Sequence, residues 1–349
     1  MESLVDQLRS TYSGKRVLIT GHNGFKGSWL VAQLNFLGAK VYGISLEAPE
    51  NSPFLLFHSD GDHASYVQDI RDFNSLKKLI LDIDPEIVFH LAAQSLVLDS
   101  YQKPRETFEI NVQGTANLLE AVLSTSCLGV VVATTDKVYR NENLGAEFKE
   151  SDELWGHDPY SLSKTGTELV VAAWRNLNTN SKCNLVSVRA GNVFGPGDRA
   201  HHRLIPDLVR GMSTGEEIQV RNPDSVRPWQ FVLDPLLGYL LAGSRILRGA
   251  SLKNAYNFGP EPEAFITVGE LVVMFSKLRA IKFRNDRSDS RLESKILKLN
   301  SDLAKADLRW KSSVSLDKGL KYLISLENDQ ISKTQMYVLV SEHFSSSVD

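Results

Sequence analysis

Two side chains four positions apart, Tyr160 and Lys164, could together take a proton from a hydroxyl group. They stand in the stretch DPYSLSKTGTELVVAAW, whose pattern predicts a helix with both side chains on one face. A nearby ammonium group favours the phenolate and lowers the pKa of a tyrosine toward the range of a general base. This spacing also occurs by chance in many helices. Thr135, at the end of the preceding predicted strand, supports the pairing because its hydroxyl could hold a substrate oxygen opposite Tyr160.

Asp136 and Lys137 follow directly after Thr135, at the carboxyl end of the apolar stretch GVVVATT. Adjacent charges at such a place form either a solvated pair of little energetic effect or a catalytic acid and base. Ligand sites of open α/β sheets lie at the carboxyl ends of the strands. Because Tyr160 and Lys164 are expected at the same place, the catalytic interpretation is favoured.

A glycine-rich stretch, ITGHNGFKGSWL, places Gly21, Gly24 and Gly27 between a predicted strand and a predicted helix. Glycines allow a tight turn and let the amino end of the helix approach a pyrophosphate, which predicts a dinucleotide site. A plain surface turn is the alternative. The place of the acidic residue that usually binds the adenosine ribose holds Ser45, and no Lys or Arg is there for a 2′-phosphate, so NAD is favoured over NADP. After the third predicted strand, VQDIRD offers residues 69 and 70 to the adenine ring.

Charge and composition indicate which kinds of partner and which compartment are expected for this protein. The chain has 349 residues with 39 Lys and Arg against 42 Asp and Glu, and these charges are interspersed, so no nucleic-acid partner is predicted. No signal-peptide pattern and no run of about 18 apolar residues occurs, which predicts a cytoplasmic protein without membrane contact. Cys127 and Cys183 are far apart in the sequence and lack metal-ligand spacing, which fits a reducing compartment and predicts no metal.

Apolar runs and helical patterns alternate through the first half of the chain, for example KRVLITG, KVYGIS and IVFHLA between helical stretches such as FNSLKKLILDI. This alternation predicts an α/β protein with a Rossmann-type, doubly wound parallel sheet. Loops rich in Gly, Pro and Arg then predict a smaller, mixed α/β C-terminal substrate domain. We expect a dinucleotide-binding domain over 1–190, to which a strand near 254–259 returns, and a substrate-binding domain mainly over 191–349.

The glycine turn, DIRD, HLAAQ, NVQGTANLLEA, TTDK and YSLSK together resemble the extended short-chain dehydrogenase/reductases. The resemblance covers nearly the whole chain, because RAGNVFGPGD, RLIPDLVRG and VRPWQFVLD extend it into the C-terminal part. Within the family, the long strings TGHNGFKGSWL, SLEAPENSPFLLF and RNPDSVRPWQFVLDPLLGYLL are similar to the branch that dehydrates nucleotide sugars at positions 4 and 6.

This resemblance implies an NAD-dependent lyase that acts on a nucleotide sugar. It implies oxidation of the sugar C4 hydroxyl by Thr135, Tyr160 and Lys164, with NAD as hydride acceptor. The cofactor residues that it implies are Gly21, Asn23, Gly24, Phe25, Gly27, Asp69, Ile70, Ala92, Tyr160 and Lys164. The substrate residues that it implies are Gln94, Asn111, Asn192, Arg203 and Arg227.

A 4,6-dehydratase must do more than oxidise C4. The C4 ketone acidifies the C5 proton, a base removes that proton, the C6 hydroxyl leaves as water with help from an acid, and the hydride returns to C6. We assign the acid to Asp136 and the base to Lys137, where relatives acting on dTDP-glucose carry Asp and Glu. Asp136 must then be protonated, so we expect burial to raise its pKa, while Lys137 must be neutral. The reverse division of labour stays open.

Two other functions compete with this interpretation. A sugar 4-epimerase needs no acid and base at C5, so the pair Asp136 and Lys137 argues against it. A non-catalytic NAD sensor or binding subunit would typically lack Tyr160 or Lys164, and both are present. Members of the family often dimerise through two helices of each subunit, and the stretches near 107–124 and 160–177 are the expected contacts of a homodimer.

Overall fold

The structure is a computed structural model that describes residues 3–48, 52, 54–55, 63–177, 183–286, 294–328 and 332–347. Part of the string SLEAPENSPFLLF therefore lies outside the described residues. The strands are β1 (Arg16–Thr20), β2 (Lys40–Ser45), β3 (Ala64–Val67), β4 (Ile87–His90), β5 (Gly129–Ala133), β6 (Asn184–Ala190), β7 (Asn192–Phe194), β8 (Glu217–Arg221), β9 (Val226–Phe231), β10 (Ala255–Phe258), β11 (Phe265–Thr267) and β12 (Lys282–Asp286).

The helices are α1 (Leu4–Tyr12), α2 (Phe25–Phe36), α3 (Phe73–Ile83), α4 (Val97–Gln102), α5 (Pro104–Phe108), α6 (Gly114–Val122), α7 (Pro159–Leu177), α8 (Leu204–Thr214), α9 (Leu233–Leu247), α10 (Val268–Leu278), α11 (Asp302–Leu308), α12 (Leu316–Asn328) and α13 (Lys333–Ser346). Within the described ranges, no helix has the length and apolar character needed to cross a membrane.

Seven parallel strands form the main sheet in the order β10-β6-β5-β4-β1-β2-β3. The order reverses at β1, which is the doubly wound arrangement, so the predicted fold class is confirmed. Alternate residues of a strand point to opposite faces. In β1, Val17 and Ile19 accordingly pack in one apolar cluster and Leu18 in another, and this explains why the strand is apolar throughout.

A second, smaller layer follows β6 and consists of two small sheets. β9 pairs in parallel with β7 and antiparallel with β11, and β8 pairs with β12. The chain between these strands returns to the main sheet as β10, which pairs with β6. This layer therefore stands over the carboxyl end of β6, next to the ends of β5 and β4.

The predicted helical stretch near 107–124 is interrupted. α5 ends at Phe108, a π-helical turn covers Glu109–Gln113, and α6 begins at Gly114. Ile70 packs so closely here that a Cβ on Gly114 would lie 2.5 Å from its Cδ1. A π turn changes the register of a helix and is frequent at functional sites. Here it contains the buried Asn111.

The two cysteines, distant in the sequence, are neighbours in the structure. Cys127 precedes β5 and Cys183 precedes β6, and these strands pair side by side. The two buried thiols are hydrogen-bonded to each other. The number of residues between the two cysteines therefore did not predict their distance in space.

A buried carboxylate ties the C-terminal helix to the main body. Asp234, in the first turn of α9, accepts hydrogen bonds from Ser312 Oγ at 2.6 Å, Ser313 Oγ at 3.0 Å and His343 Nε2 at 2.8 Å. His343 belongs to α13, which packs along α2. A buried carboxylate needs several such donors, because the loss of one leaves charge without compensation.

We expect the substitution His343→Ala to lower the free energy of unfolding by about 2–4 kcal/mol, since it opens a cavity and removes a buried donor from Asp234. Urea denaturation measures this change. Val338→Ala, at a half-exposed position of the same helix, is the matched control and should cost less than about 1 kcal/mol. Equal losses for the two variants would contradict the role given to the imidazole.

Candidate active site

The carboxyl ends of β1, β4 and β5 lie side by side at one edge of the sheet. Gly21 follows β1, Ala92 lies just beyond β4, and Thr135 lies just beyond β5. Parallel strands end at the same edge, so residues far apart in the chain meet there. The structure thus brings the predicted cofactor turn and the predicted catalytic strand together.

The glycine turn fits a dinucleotide pyrophosphate. Gly21 has a φ of 75°, and a Cβ there would lie 2.8 Å from the nitrogen of Ala92. A Cβ on Gly27 would lie 2.1 Å from the carbonyl oxygen of Gly21. Gly24 caps α2 without a side-chain hydrogen bond. The backbone N–H groups at the amino end of α2 therefore stay available for an anion.

The adenosine end of the turn contains a histidine that sequence reasoning missed. His22 is buried, and its ring joins Ser45 Oγ at 2.8 Å to Ser65 Oγ at 2.7 Å. Asn23 donates from Nδ2 to the carbonyl oxygen of Leu46 at 2.6 Å. Ser45 therefore takes the place of the usual acidic residue as part of a hydrogen-bonded chain with His22 and Ser65. The position of His22 between two motif glycines was the available signal.

Asp69 and Ile70, which are predicted to contact the adenine ring, both form hydrogen bonds with other residues of the chain. The Asp69 carboxylate accepts hydrogen bonds from Arg71 Nε and Nη2, and these bonds lower the pKa of Asp69. Ile70 is buried, and its carbonyl oxygen accepts a hydrogen bond from Asn117 Nδ2 at 3.0 Å. Phe25 begins α2 and packs against the main core.

The predicted catalytic residues form a connected group. Thr135 Oγ1 donates to Asp136 Oδ1 at 3.0 Å and accepts from the backbone nitrogen of Lys137 at 3.3 Å. The Thr135 side chain is close enough to the Tyr160 hydroxyl to lower the pKa of the phenol. Asp136 is almost fully buried, and its Oδ2 makes no hydrogen bond to any described residue. One buried carboxylate oxygen therefore has no hydrogen-bond partner among the described residues.

Burial shifts the pKa of both Tyr160 and Lys164. Burial raises the pKa of Tyr160 to about 12, with partial opposition from the neighbouring Thr135 side chain. Burial also lowers the pKa of Lys164 to about 8, and its Nζ donates to the carbonyl oxygen of Ala133 at 3.0 Å. The ammonium thus binds the end of β5, and its effect on the pKa of the phenol stays a prediction.

Asp136 behaves as expected from the sequence. Burial raises its pKa, against opposing effects of Lys137, Thr135 and Arg227. A raised pKa favours the protonated carboxyl group, which an acid that donates to a leaving hydroxyl must carry.

Lys26 is a second residue that sequence reasoning missed. It lies in the first turn of α2 and is partly buried, and burial together with repulsion from Arg203 lowers its pKa to about 8. A cation at the amino end of a helix opposes the helix dipole. The unusual place of this lysine, between motif glycines 24 and 27, was the signal. Lys26 faces Asp136 and Asp198 from the α2 side of the site.

Gln94 and Asn111 hold each other. Asn111 Oδ1 accepts from the Gln94 backbone nitrogen, and its Nδ2 donates to the Gln94 carbonyl oxygen and to Ser163 Oγ, at 2.8–2.9 Å. The Gln94 side chain bonds to Leu96 and Thr107. These contacts fix the loop after β4 to α7, and a direct substrate contact by either side chain stays a prediction.

Asn192, Arg203 and Arg227 lie in the second layer. Asn192 begins β7 and is half-buried, and Arg227 is buried in the neighbouring strand β9 with its charge directed toward Asp136. Arg203 donates from Nη2 to Ser95 Oγ at 2.9 Å, which links the second layer to the loop after β4. Their contact with a substrate stays a prediction. Among the described residues, no group of three His, Cys, Asp or Glu side chains could hold a metal.

Comparison with known proteins identifies a family and several relatives to which this chain is similar. Residues 17–259 match the NAD dependent epimerase/dehydratase family. The chain is 42% identical over 313 residues to a CDP-glucose 4,6-dehydratase of Salmonella typhimurium, an alignment that covers 86% of this chain and 87% of that protein. It is 33% identical over 248 residues to a low-salt glycan biosynthesis protein of Haloferax volcanii, with 70% and 76% of the two chains covered.

Solved structures with the same fold agree with the topology. An epimerase of Methanothermobacter thermautotrophicus superposes with a TM-score of 0.82 at 24% identity and covers 97% of both chains. A dTDP-glucose 4,6-dehydratase of Streptomyces venezuelae, solved with NAD bound, has a TM-score of 0.79 at 24% identity, with 90% of this chain and 97% of that chain covered. At this identity the two likenesses concern the fold alone.

The glycine turn can be tested with two matched variants. Gly27→Ala would place a methyl group against the Gly21 carbonyl and should weaken dinucleotide binding at least about tenfold. Gly24→Ala meets the same oxygen only at 3.3 Å and should have a smaller effect. Calorimetric titration with NAD and thermal unfolding compare the two. A greater loss of affinity in Gly24→Ala than in Gly27→Ala would contradict the geometry.

Proposed function

The chain belongs to the NAD dependent epimerase/dehydratase family, and we propose that it is a CDP-glucose 4,6-dehydratase, a lyase that forms CDP-4-keto-6-deoxyglucose and water. The family that the sequence motifs predicted is thereby confirmed. The glycine turn fits NAD, the cofactor of this family. The proposal goes beyond the family in its choice of substrate and in the roles of individual residues.

One observation carries the choice of a dehydratase: the buried Asp136 beside Thr135 and Tyr160. Its pKa is raised by burial, and its Oδ2 makes no hydrogen bond to a described residue. A group of this kind can give a proton to a leaving hydroxyl, a step that elimination of water requires. A 4-epimerase has no use for such an acid.

The first step is oxidation at C4 of the sugar. Tyr160 takes the proton of the C4 hydroxyl, and Thr135, whose side chain lies near the Tyr160 hydroxyl, holds that oxygen in place. Lys164, fixed by the Ala133 carbonyl, orients the ribose next to the nicotinamide. NAD, when bound, supplies the temporary oxidation by accepting a hydride from C4 and returning it to C6.

The elimination at C5 and C6 then uses the two residues after Thr135. Lys137 takes the C5 proton, which the C4 ketone has made acidic, and Asp136 gives its proton to the C6 hydroxyl as it leaves as water. Lys137 is half-buried beside Asp136, and Arg227 and Lys26 also direct positive charge toward that carboxyl group. These cations stabilise the carboxylate that remains after proton transfer.

The nucleotide is chosen from the relative that is 42% identical over most of both chains. A second candidate, a dehydratase acting on a dTDP- or GDP-linked sugar, would keep every residue role above. The product is a deoxysugar nucleotide, and we place the reaction in the cytoplasmic synthesis of a polysaccharide such as an O-antigen of lipopolysaccharide. The non-catalytic sensor is disfavoured because Thr135, Asp136 and Tyr160 form one connected group.

A homodimer is supported by apolar side chains on the predicted contact helices. Phe108 at the end of α5 is 40% exposed, and Leu169 in the middle of α7 is 64% exposed. The two helical segments pack closely, since a Cβ on Gly166 would lie 2.8 Å from Val112 Cγ2. A second copy of the chain would bury this apolar face.

In deuterated water with NAD and CDP-glucose, the purified protein should form a 4-keto-6-deoxy product that carries deuterium at C5, visible by NMR. Lys137→Met should abolish C5 exchange with NAD binding retained, and Asp136→Asn should slow water loss about 10²–10³-fold. Lys149→Met, at an exposed position outside the site, is the control and should be unaffected.

Different failures of this experiment have different meanings. Conversion of dTDP- or GDP-sugars with CDP-glucose unchanged would keep the reaction and overturn the nucleotide. C5 exchange that survives in Lys137→Met would overturn the base. An inert protein that still binds NAD would favour the sensor.

The dimer can be tested by charge. Leu169→Glu would bury an unpaired carboxylate in the contact and should give a monomer, measured by light scattering after gel filtration. Leu144→Glu changes an even more exposed leucine in a loop away from these helices and should leave the dimer intact. A wild-type monomer would reject the proposed assembly.

A further inference from the structure

A buried ion pair lies directly behind the catalytic residues. Arg189 of β6 donates from Nε and Nη2 to the two carboxylate oxygens of Glu168 in α7, at 2.8 Å and 3.0 Å. Their side chains are 4% and 6% exposed. Burial opposes ionisation of Glu168, but the charge and hydrogen bonds of Arg189 outweigh it and lower the pKa of Glu168. A charged pair in the interior needs such complete hydrogen bonding to be tolerated.

The position of Glu168 on its helix connects this pair to the site. Tyr160, Lys164 and Glu168 follow one another at intervals of four residues, about 6 Å apart along one face of α7. Each of the three side chains meets a different residue at the end of β5. Lys164 donates to the Ala133 carbonyl oxygen, and Glu168 Oε1 accepts a hydrogen bond from Thr134 Oγ1 at 2.6 Å.

Arg189 is itself held from the side away from the site. Its Nη1 donates to the Tyr139 hydroxyl at 2.8 Å and to the Glu150 carbonyl oxygen at 3.2 Å. Tyr139 in turn donates to Asn257 Oδ1 of β10 at 2.7 Å. The carboxylate therefore has a fixed position, since its partner is anchored in two neighbouring strands.

We propose that Glu168, held by Arg189, is a positioning residue that fixes Thr134 at the end of the catalytic strand. The residues on either side of Thr134 lie next to the groups of the reaction: the carbonyl of Ala133 holds Lys164, and the side chain of Thr135 lies near the Tyr160 hydroxyl. A displacement of this short segment moves both groups at once. The inference rests on the proposed function, because it assigns a role in that reaction.

Glu168 also acts on Lys164 through its charge. Charged and titratable groups face Lys164 from three elements: Lys26 from α2, His90 from β4, and Tyr160 and Glu168 from its own helix. Glu168 is the one among these that favours the ammonium form. The carboxylate therefore both positions the strand and favours the ammonium form of Lys164, against the effects of burial and of Lys26.

The positioning role is tested at Thr134, where a substitution leaves the ion pair intact. Thr134→Val should lower kcat about tenfold and change the KM for the nucleotide sugar less than about twofold, since it affects placement of the reacting groups. Thr134→Ser restores the hydroxyl and should restore kcat. Thr11→Val, which removes another buried threonine hydroxyl on α1, is the control and should keep wild-type kcat. Wild-type kcat in Thr134→Val, or no rescue by serine, would overturn the inference.

The electrostatic role is tested with Glu168→Gln by NAD affinity as a function of pH, measured by calorimetric titration. If the ammonium of Lys164 holds the cofactor ribose, the protein binds NAD at low pH, and this affinity for NAD is lost as the pH rises through the pKa of Lys164. Removal of the carboxylate should move that midpoint to lower pH, while Thr134→Val should leave it in place. A midpoint unchanged in Glu168→Gln would overturn this part. Circular dichroism shows whether Glu168→Gln is folded, and Thr134→Val tests the proposal if it is not.

These measurements separate the inference from the proposed function. A wild-type protein that converts no nucleotide sugar would contradict the proposed function, and the NAD titrations would still decide whether Glu168 controls Lys164. A wild-type protein that converts its substrate while Thr134→Val is equally fast would contradict the inference alone.

Discussion

The contact between one face of α7 and the end of β5 is the constraint on which the site depends. Tyr160, Lys164 and Glu168 are spaced four residues apart on this helix. Each of the three side chains meets a different residue of the stretch 133–135. Rotation or translation of the helix by one residue would break all three contacts, because residues one apart do not share a helical face. The Glu168–Arg189 pair fixes this register from behind, and the parallel sheet places it beside the glycine turn.

Burial sets the protonation of the groups that meet there. It raises the pKa of Asp136 and Tyr160 and lowers the pKa of Lys164, so each of the three shifts toward its neutral form. For Asp136 this prepares an acid that can protonate a leaving hydroxyl. For Tyr160 it keeps the phenol protonated in the free protein, so proton transfer from the substrate requires the charges that ligands bring.

Several features of the site depend on contacts between distant parts of the chain. His22 and Lys26 stand inside a recognisable motif, yet their importance comes from burial against β3 and the second layer. The predicted helical stretch near 107–124 contains a π turn, and Ile70 packs against the glycine that follows that turn. Gln94 and Asn111 were predicted as substrate residues. The Asn111 side chain instead bonds to the Gln94 backbone and to Ser163 of α7. In each case a residue outside the local pattern decides the outcome.

The sequence alone was enough to predict the fold class, the family and the glycine turn. It also predicted the group formed by residues 135–137, 160 and 164. These depend on local spacing and on strand order, and both are visible in a linear pattern because the carboxyl ends of parallel strands share one edge. Only the tertiary structure decided the protonation of that group, the contact of the two cysteines and the place of Glu168 behind the site. Those properties depend on burial and on pairs of residues far apart in the chain, which no spacing within a single sequence records.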